Sequence, residues 1–86
     1  MFKIFGFYKF KKLKSLKRNK IILQDFLIKK NVKGTIIVSI EGINATISGK
    51  SADLKLTITK IKKTFDFKKF DNENISKSKF QPFHRL

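Results

Sequence analysis

The sequence predicts an α+β fold of the split β-α-β, ferredoxin-like type, β-α-β-β-α-β, with a four-stranded antiparallel sheet and two helices on one face. Three observations predict it. Two segments carry apolar residues at helical spacing, and they are interleaved with segments that alternate every second residue. A closely spaced pair of β-branched runs sits in the middle. The chain has 86 residues, which leaves room for one thin core, and a hydrophobic fraction of 41% with ten Phe to build it.

The first strand is read from Phe2 to Lys11, with Phe2, Ile4, Gly6, Tyr8 and Phe10 on one side and Lys3, Phe5, Phe7 and Lys9 on the other. Charge at Lys11 to Lys14 breaks the pattern. Ser15 is placed to cap a helix in which Leu16, Leu23, Phe26, Leu27 and Lys30 recur at helical steps, with Lys17, Arg18, Lys20 and Lys29 on its basic face. Asn31 takes the left-handed conformation that ends it. Gly34 to Ile40 is rich in β-branched residues and forms strand two. Glu41-Gly42 makes a tight turn into Ile43 to Ser48, so strands two and three form an antiparallel hairpin that stops at Gly49.

Ser51 starts the second helix, with Asp53 favourably placed near the positive end of its dipole. Leu54, Ile58, Ile61 and Phe65 make one apolar stripe along it. From Asp66 onward the pattern weakens, and Ile75 to Phe80 is expected as the fourth strand, ended by Pro82. Residues 1–86 are read as a single domain. Its expected core is Leu23, Phe26, Leu27, Ile36, Val38, Ile47, Ile58 and Ile61.

Composition narrows the function. Cys is absent and His84 is the single His, so disulfides, thiolate metal sites and a Cys nucleophile are excluded, and no metal or cofactor is expected in this chain. No Ser, His and carboxylate arrangement supports nucleophilic catalysis. No apolar run approaches the roughly 20 residues that span a bilayer, which makes a soluble cytoplasmic protein the default and a membrane partner unexpected. The formal charge of +15 favours an anionic partner such as RNA, because Lys and Arg release counterions condensed on phosphates. Of the 21 basic residues only Arg18 and Arg85 are Arg, however, and a Lys-rich, Ile-rich, Ala-poor composition also fits an AT-rich genome. Selected basic surface and compositional drift both remain open at this level.

Four motifs invite a functional reading. Glu41-Gly42-Ile43-Asn44 sets a carboxylate and an amide beside a glycine at a hairpin tip, although a turn alone explains Gly and Asn there. Gly49-Lys50-Ser51 is the tail of a phosphate-binding loop without its upstream Gly. His84-Arg85 offers a proton-transfer group and a phosphate contact, or a solvated chain end. Phe5 and Phe7, interleaved with Lys3 and Lys9, are either packed or an apolar pair on the open sheet face, where they would stack bases or meet a neighbouring domain. A full RNA-recognition sheet also needs aromatics on the third strand, and Ile43 to Ser48 has none.

The run from Lys33 to Gly49, KGTIIVSIEGINATISG, resembles the K-G-T, apolar run, E-G-I-N-G-T-I segment of the rhodanese-related tRNA uridine hydroxylases. Tyr8-Lys9-Phe10 and Pro82-Phe83-His84-Arg85-Leu86 match the same family in the same order. Ala45 stands where the family usually has Gly, and Ser39-Ile40 replaces a small or charged pair. The resemblance implies an acylphosphatase-like N-terminal domain that precedes a Cys-bearing rhodanese domain, the latter expected as this domain's partner and absent from the chain. It further implies a role in oxygen-dependent hydroxylation of the tRNA wobble uridine at C5, with tRNA as the bound partner. The contact candidates are Glu41, Asn44, His84 and Arg85, with Lys17, Lys20 and Lys33 to position phosphates. Two other functions compete with an RNA-binding or scaffolding domain. One is a free-standing acylphosphatase, which needs a Gly-containing phosphate loop that Lys11 to Ser15 does not supply. The other is a non-catalytic protein-interaction module.

Overall fold

The computed structural model describes residues 2–78, and six elements follow in the predicted order. They are β1 (Phe2–Phe10), α1 (Leu16–Lys29), β2 (Lys33–Ser39), β3 (Gly42–Gly49), α2 (Ser51–Phe65) and β4 (Asn72–Ser78). The sheet runs β2-β3-β1-β4 with every neighbouring pair antiparallel. Both helices cover the face that carries Phe5, Phe7, Ile43, Ala45 and Ile47, and Leu23, Leu27, Leu54, Ile61 and Phe65 meet those side chains in the core.

The hairpin explains its own glycines. Ser39 pairs with Gly42, so the turn residues are Ile40 and Glu41 rather than Glu41 and Gly42. The Glu41 amide donates to Ser39 Oγ at 3.2 Å. Gly42 lies at φ +155, and a Cβ there would stand 2.1 Å from the Lys9 carbonyl oxygen, so only glycine lets β1 and β3 close at this end. Gly34 plays the same part between β2 and β3, at φ +136 against the Thr46 carbonyl. The turn carbonyls are occupied too: Lys11 N donates to Glu41 O at 3.0 Å and Leu13 N to Ile40 O at 3.1 Å. The hairpin tip thus anchors the chain that leaves β1.

That anchoring alters the start of α1. With the amides of Lys11 and Leu13 bound to the hairpin and Leu13 buried, the backbone turns into the helix through Ser15 at φ 52, which makes no side-chain cap. Asn19 Nδ2 donates to the Lys14 carbonyl at 3.1 Å instead. The other end follows expectation, with Asn31 left-handed at φ 53. Within α1, Leu23 and Leu27 are buried, whereas Phe26 is only partly covered, with the Lys30 and Lys60 ammoniums 5.9 and 5.7 Å from its ring centre. Ile36, Val38 and Ile58 pack against the core from its rim.

On strand one the structure selects the packed alternative. Phe5 and Phe7 are buried against the helices, not set on the open face. Their rings lie 5.4 and 4.3 Å from that of Phe70, and Phe67 meets Phe70 at 5.3 Å. These contacts organise the connection after α2 that sequence patterning leaves unread. Asp71 completes it, accepting from Phe10 N at 2.5 Å, pairing with Lys9 at 3.5 Å and donating its own amide to Tyr8 O. The fourth strand accordingly begins at Asn72, three residues earlier than expected, and its Ile75 is more than half exposed at the sheet edge. Phe80 and Pro82 lie outside the described residues.

Two outcomes test this account. Gly42→Ala is expected to lose about 2 kcal/mol or more in urea unfolding, because a Cβ meets backbone on one side and the φ is unfavourable on the other. Leu27→Ala is expected to cost roughly 2–5 kcal/mol, and Phe26→Ala, at the margin, less than half as much. Equal losses at Leu27 and Phe26 would overturn the assigned packing of α1.

Candidate nucleic-acid interface

Antiparallel register decides what the uncovered face of the sheet displays. Read across β2, β3, β1 and β4, the rungs on the side away from the helices are Lys33, Ser48, Ile4, Ser76, of which Ser48 is fully buried; then Thr35, Thr46, Gly6, Asn74; then Ile37, Asn44, Tyr8, Asn72. One charged residue appears in these three rungs, although 31% of the chain is charged. The face is therefore amide- and hydroxyl-rich, and phosphate attraction is not what shapes it.

At the hairpin end this face turns aromatic. The rings of Tyr8 and Phe10 lie 5.0 Å apart, and Phe10 and Ile37 are 71% and 61% exposed. Glu41 and Asn44, both sequence candidates, come together here, lining one depression with Tyr8, Phe10 and Ile37. Next to it Gly6 opens a second hollow walled by Tyr8, Asn44, Thr46, Asn72 and Asn74. Sequence reasoning weighed a stacking role only for Phe5 and Phe7, beside the packed reading that the structure shows. The same alternation puts Tyr8 and Phe10 on the opposite side from that pair.

The basic candidates do not join Glu41 and Asn44. Lys17 and Lys20 are exposed on α1 in the helical layer, and Lys20 borders a groove between α1 and β2 lined by Gln24, Thr35 and Ile36. Lys33 stands at the far end of the open face, opposite Ser48. His84 and Arg85 lie outside the described residues.

A denser basic site was missed. Lys11, Lys12, Lys14, Arg18 and Asn19 surround a hollow where β1 passes into α1. The first turn of α1 holds no acidic residue, so its positive end reinforces the field. Lys11 itself is engaged with the Asp66 carbonyl and carboxylate, which leaves Lys12, Lys14 and Arg18 as the groups facing solvent. The signal was the Lys11 to Lys14 charge run, read as a strand breaker and as a loop without the Gly of a phosphate cradle. Among the described residues no cluster of three His, Cys, Asp or Glu forms a metal site, and no helix is long and apolar enough to cross a membrane.

The chain is similar to known proteins. Over 85 residues, 99% of the chain, it is 76% identical to the tRNA uridine(34) hydroxylase of Pelagibacter ubique (strain HTCC1062), and spans 28% of that protein's length. A tRNA uridine(34) hydroxylase of Ehrlichia ruminantium (strain Welgevonden) is 42% identical over 48 residues, 56% of this chain and 18% of that one. The fold resembles the crystal structure of acylphosphatase from Bacillus subtilis, with a TM-score of 0.65 at 14% identity, covering 99% of this chain and 94% of that one. Residues 2–86 match the UPF0176 acylphosphatase like domain, and the chain belongs to that family.

Proposed function

We propose that this domain is the N-terminal tRNA-binding or scaffolding part of a cytoplasmic tRNA uridine-34 hydroxylase, and that the chemistry belongs to a rhodanese domain of the same protein. The observation that carries the reading is the 76% identity to a relative of that name over nearly the whole chain. Its physical support is the charge of +15 and its concentration at Lys12, Lys14 and Arg18. Without a Cys the chain offers no thiolate for chemistry, so its part is to hold RNA or to seat the catalytic domain.

The acylphosphatase reading has a fold likeness in its favour, and fold alone carries no activity. The loop after β1 argues against it, for it contains no Gly and passes through a left-handed Ser15. The chain is expected to leave benzoyl phosphate at its uncatalysed hydrolysis rate. Turnover lost in Arg18→Ala would restore the acylphosphatase reading.

Binding of tRNA by the chain is expected to weaken with salt, with a slope of log affinity against log salt of roughly −3 to −4 if about four cations contact phosphate. Single Ala substitutions at Lys12, Lys14 and Arg18 are expected to lower affinity more than Lys17→Ala, Lys33→Ala or the control Lys55→Ala. Uniform small losses at all six, with heparin competing as well as tRNA, would reduce the charge to compositional background.

A further inference from the structure

Resting on the RNA-binding reading above, we infer that the Tyr8–Phe10 end of the open sheet is a binding site for an unpaired nucleobase. Four observations converge on it. The two rings are adjacent and exposed, with Phe10 at 71%, at the end of the face where Ile37, Asn44 and Asn72 are exposed as well. Tyr8 has an Asn as its cross-strand neighbour on both sides, Asn44 on β3 and Asn72 on β4. Each amide offers a donor and an acceptor at the level of the ring, which is the pattern that a base edge requires. Gly6, in the rung below, removes the side chain that would otherwise fill the space beside Tyr8.

Charge assigns the ligand part. A site for phosphate would present free cations, whereas the one Lys lining this depression, Lys9, is paired with Asp71 and lies over the Phe67 ring, and Glu41 at the rim repels phosphate and accepts from exocyclic amino groups. Bases stack on such sheets with their backbone directed to the edges, where cations are found. The basic hollow beside the hairpin tip supplies them, because Lys11 and Leu13 are bonded directly to Glu41 and Ile40. Stacking on Tyr8 and Phe10 therefore selects unpaired nucleotides, and phosphate contacts at Lys12, Lys14 and Arg18 hold the strand.

Tyr8 is the only Tyr and the chain has no Trp, so intrinsic emission reports this face alone. The test titrates the full chain with a short single-stranded oligoribonucleotide and with an abasic strand of equal length, with absorbance corrected against free tyrosine amide. The base-bearing strand is expected to quench Tyr8 and to bind about 5- to 100-fold more tightly than the abasic one at equal salt. Phe10→Ala is expected to erase most of that ratio without touching abasic binding. Phe10→Tyr should keep it and Phe10→Leu should not, with circular dichroism confirming the fold of each variant. Equal binding of both strands with unchanged emission overturns the site while leaving phosphate-driven RNA binding intact. Absence of binding to either strand, or to tRNA, overturns the RNA reading beneath it. Loss of self-association in Phe10→Ala, with no base preference in the parent chain, identifies the face as a protein contact and overturns the site as well.

Discussion

The contact on which the rest of the structure depends is the close approach of Gly42 to the Lys9 carbonyl. It lets the first residue of β3 lie directly opposite Phe10, and so sets the register of the central strand pair. A slip of one residue in that register exchanges the faces of a whole strand. With the observed pairing, Ile43, Ala45 and Ile47 share a face with Lys9, Phe7 and Phe5, and the core closes. The same pairing leaves Asn44 beside Tyr8 and Thr46 beside Gly6, so one backbone contact builds both the core and the uncharged open face.

Around this pair the remaining elements are held by different means. β2 is joined through a two-residue turn and a second close glycine at Gly34, and its inner side chains reach the core only partly. β4 has the opposite character. Its side chains are largely exposed, and its connection is fastened by the Phe67 and Phe70 rings and by Asp71 rather than by a strand-facing apolar row. Glu73 and Lys77 put charge on this outer strand, a common defence against edge-to-edge pairing.

What could be read from residues alone follows from these differences. The helices and the hairpin were legible because each has a period of its own: Leu54, Ile58, Ile61 and Phe65 repeat at helical steps, and Ile43 to Ser48 alternates apolar with polar. β1 was legible as a strand but not as a face, since both of its sides are apolar and only the register with β3 chooses between them. The start of β4 depends on Asp71 and on two aromatic residues in a loop, and long-range contacts of that kind leave no periodic trace. In the candidate site, Glu41 and Asn44 were visible because a hairpin tip concentrates them. Tyr8 and Phe10 were visible only as the side not chosen, and the basic hollow needed the left-handed turn at Ser15 to bring Arg18 beside Lys12 and Lys14.

The geometry also divides the labour that a net charge obscures. Positive residues crowd the helices and the β1–α1 passage, while the sheet face that could read a base is almost free of charge. Such a division is useful for an RNA ligand, because phosphate contacts give affinity without sequence information and base contacts give the reverse. Compositional drift toward Lys would scatter charge over every exposed strand position alike. It has not done so at the hairpin end: the eight positions of the two rungs from Thr35 to Asn74 and from Ile37 to Asn72 carry no charge, and Lys33 lies in the next rung, at the corner farthest from Phe10. A lysine-rich chain that leaves these two rungs uncharged keeps the hairpin end of the sheet neutral beside a basic β1–α1 passage, and it is this contrast, rather than the total of +15, on which a division between base and phosphate contacts rests.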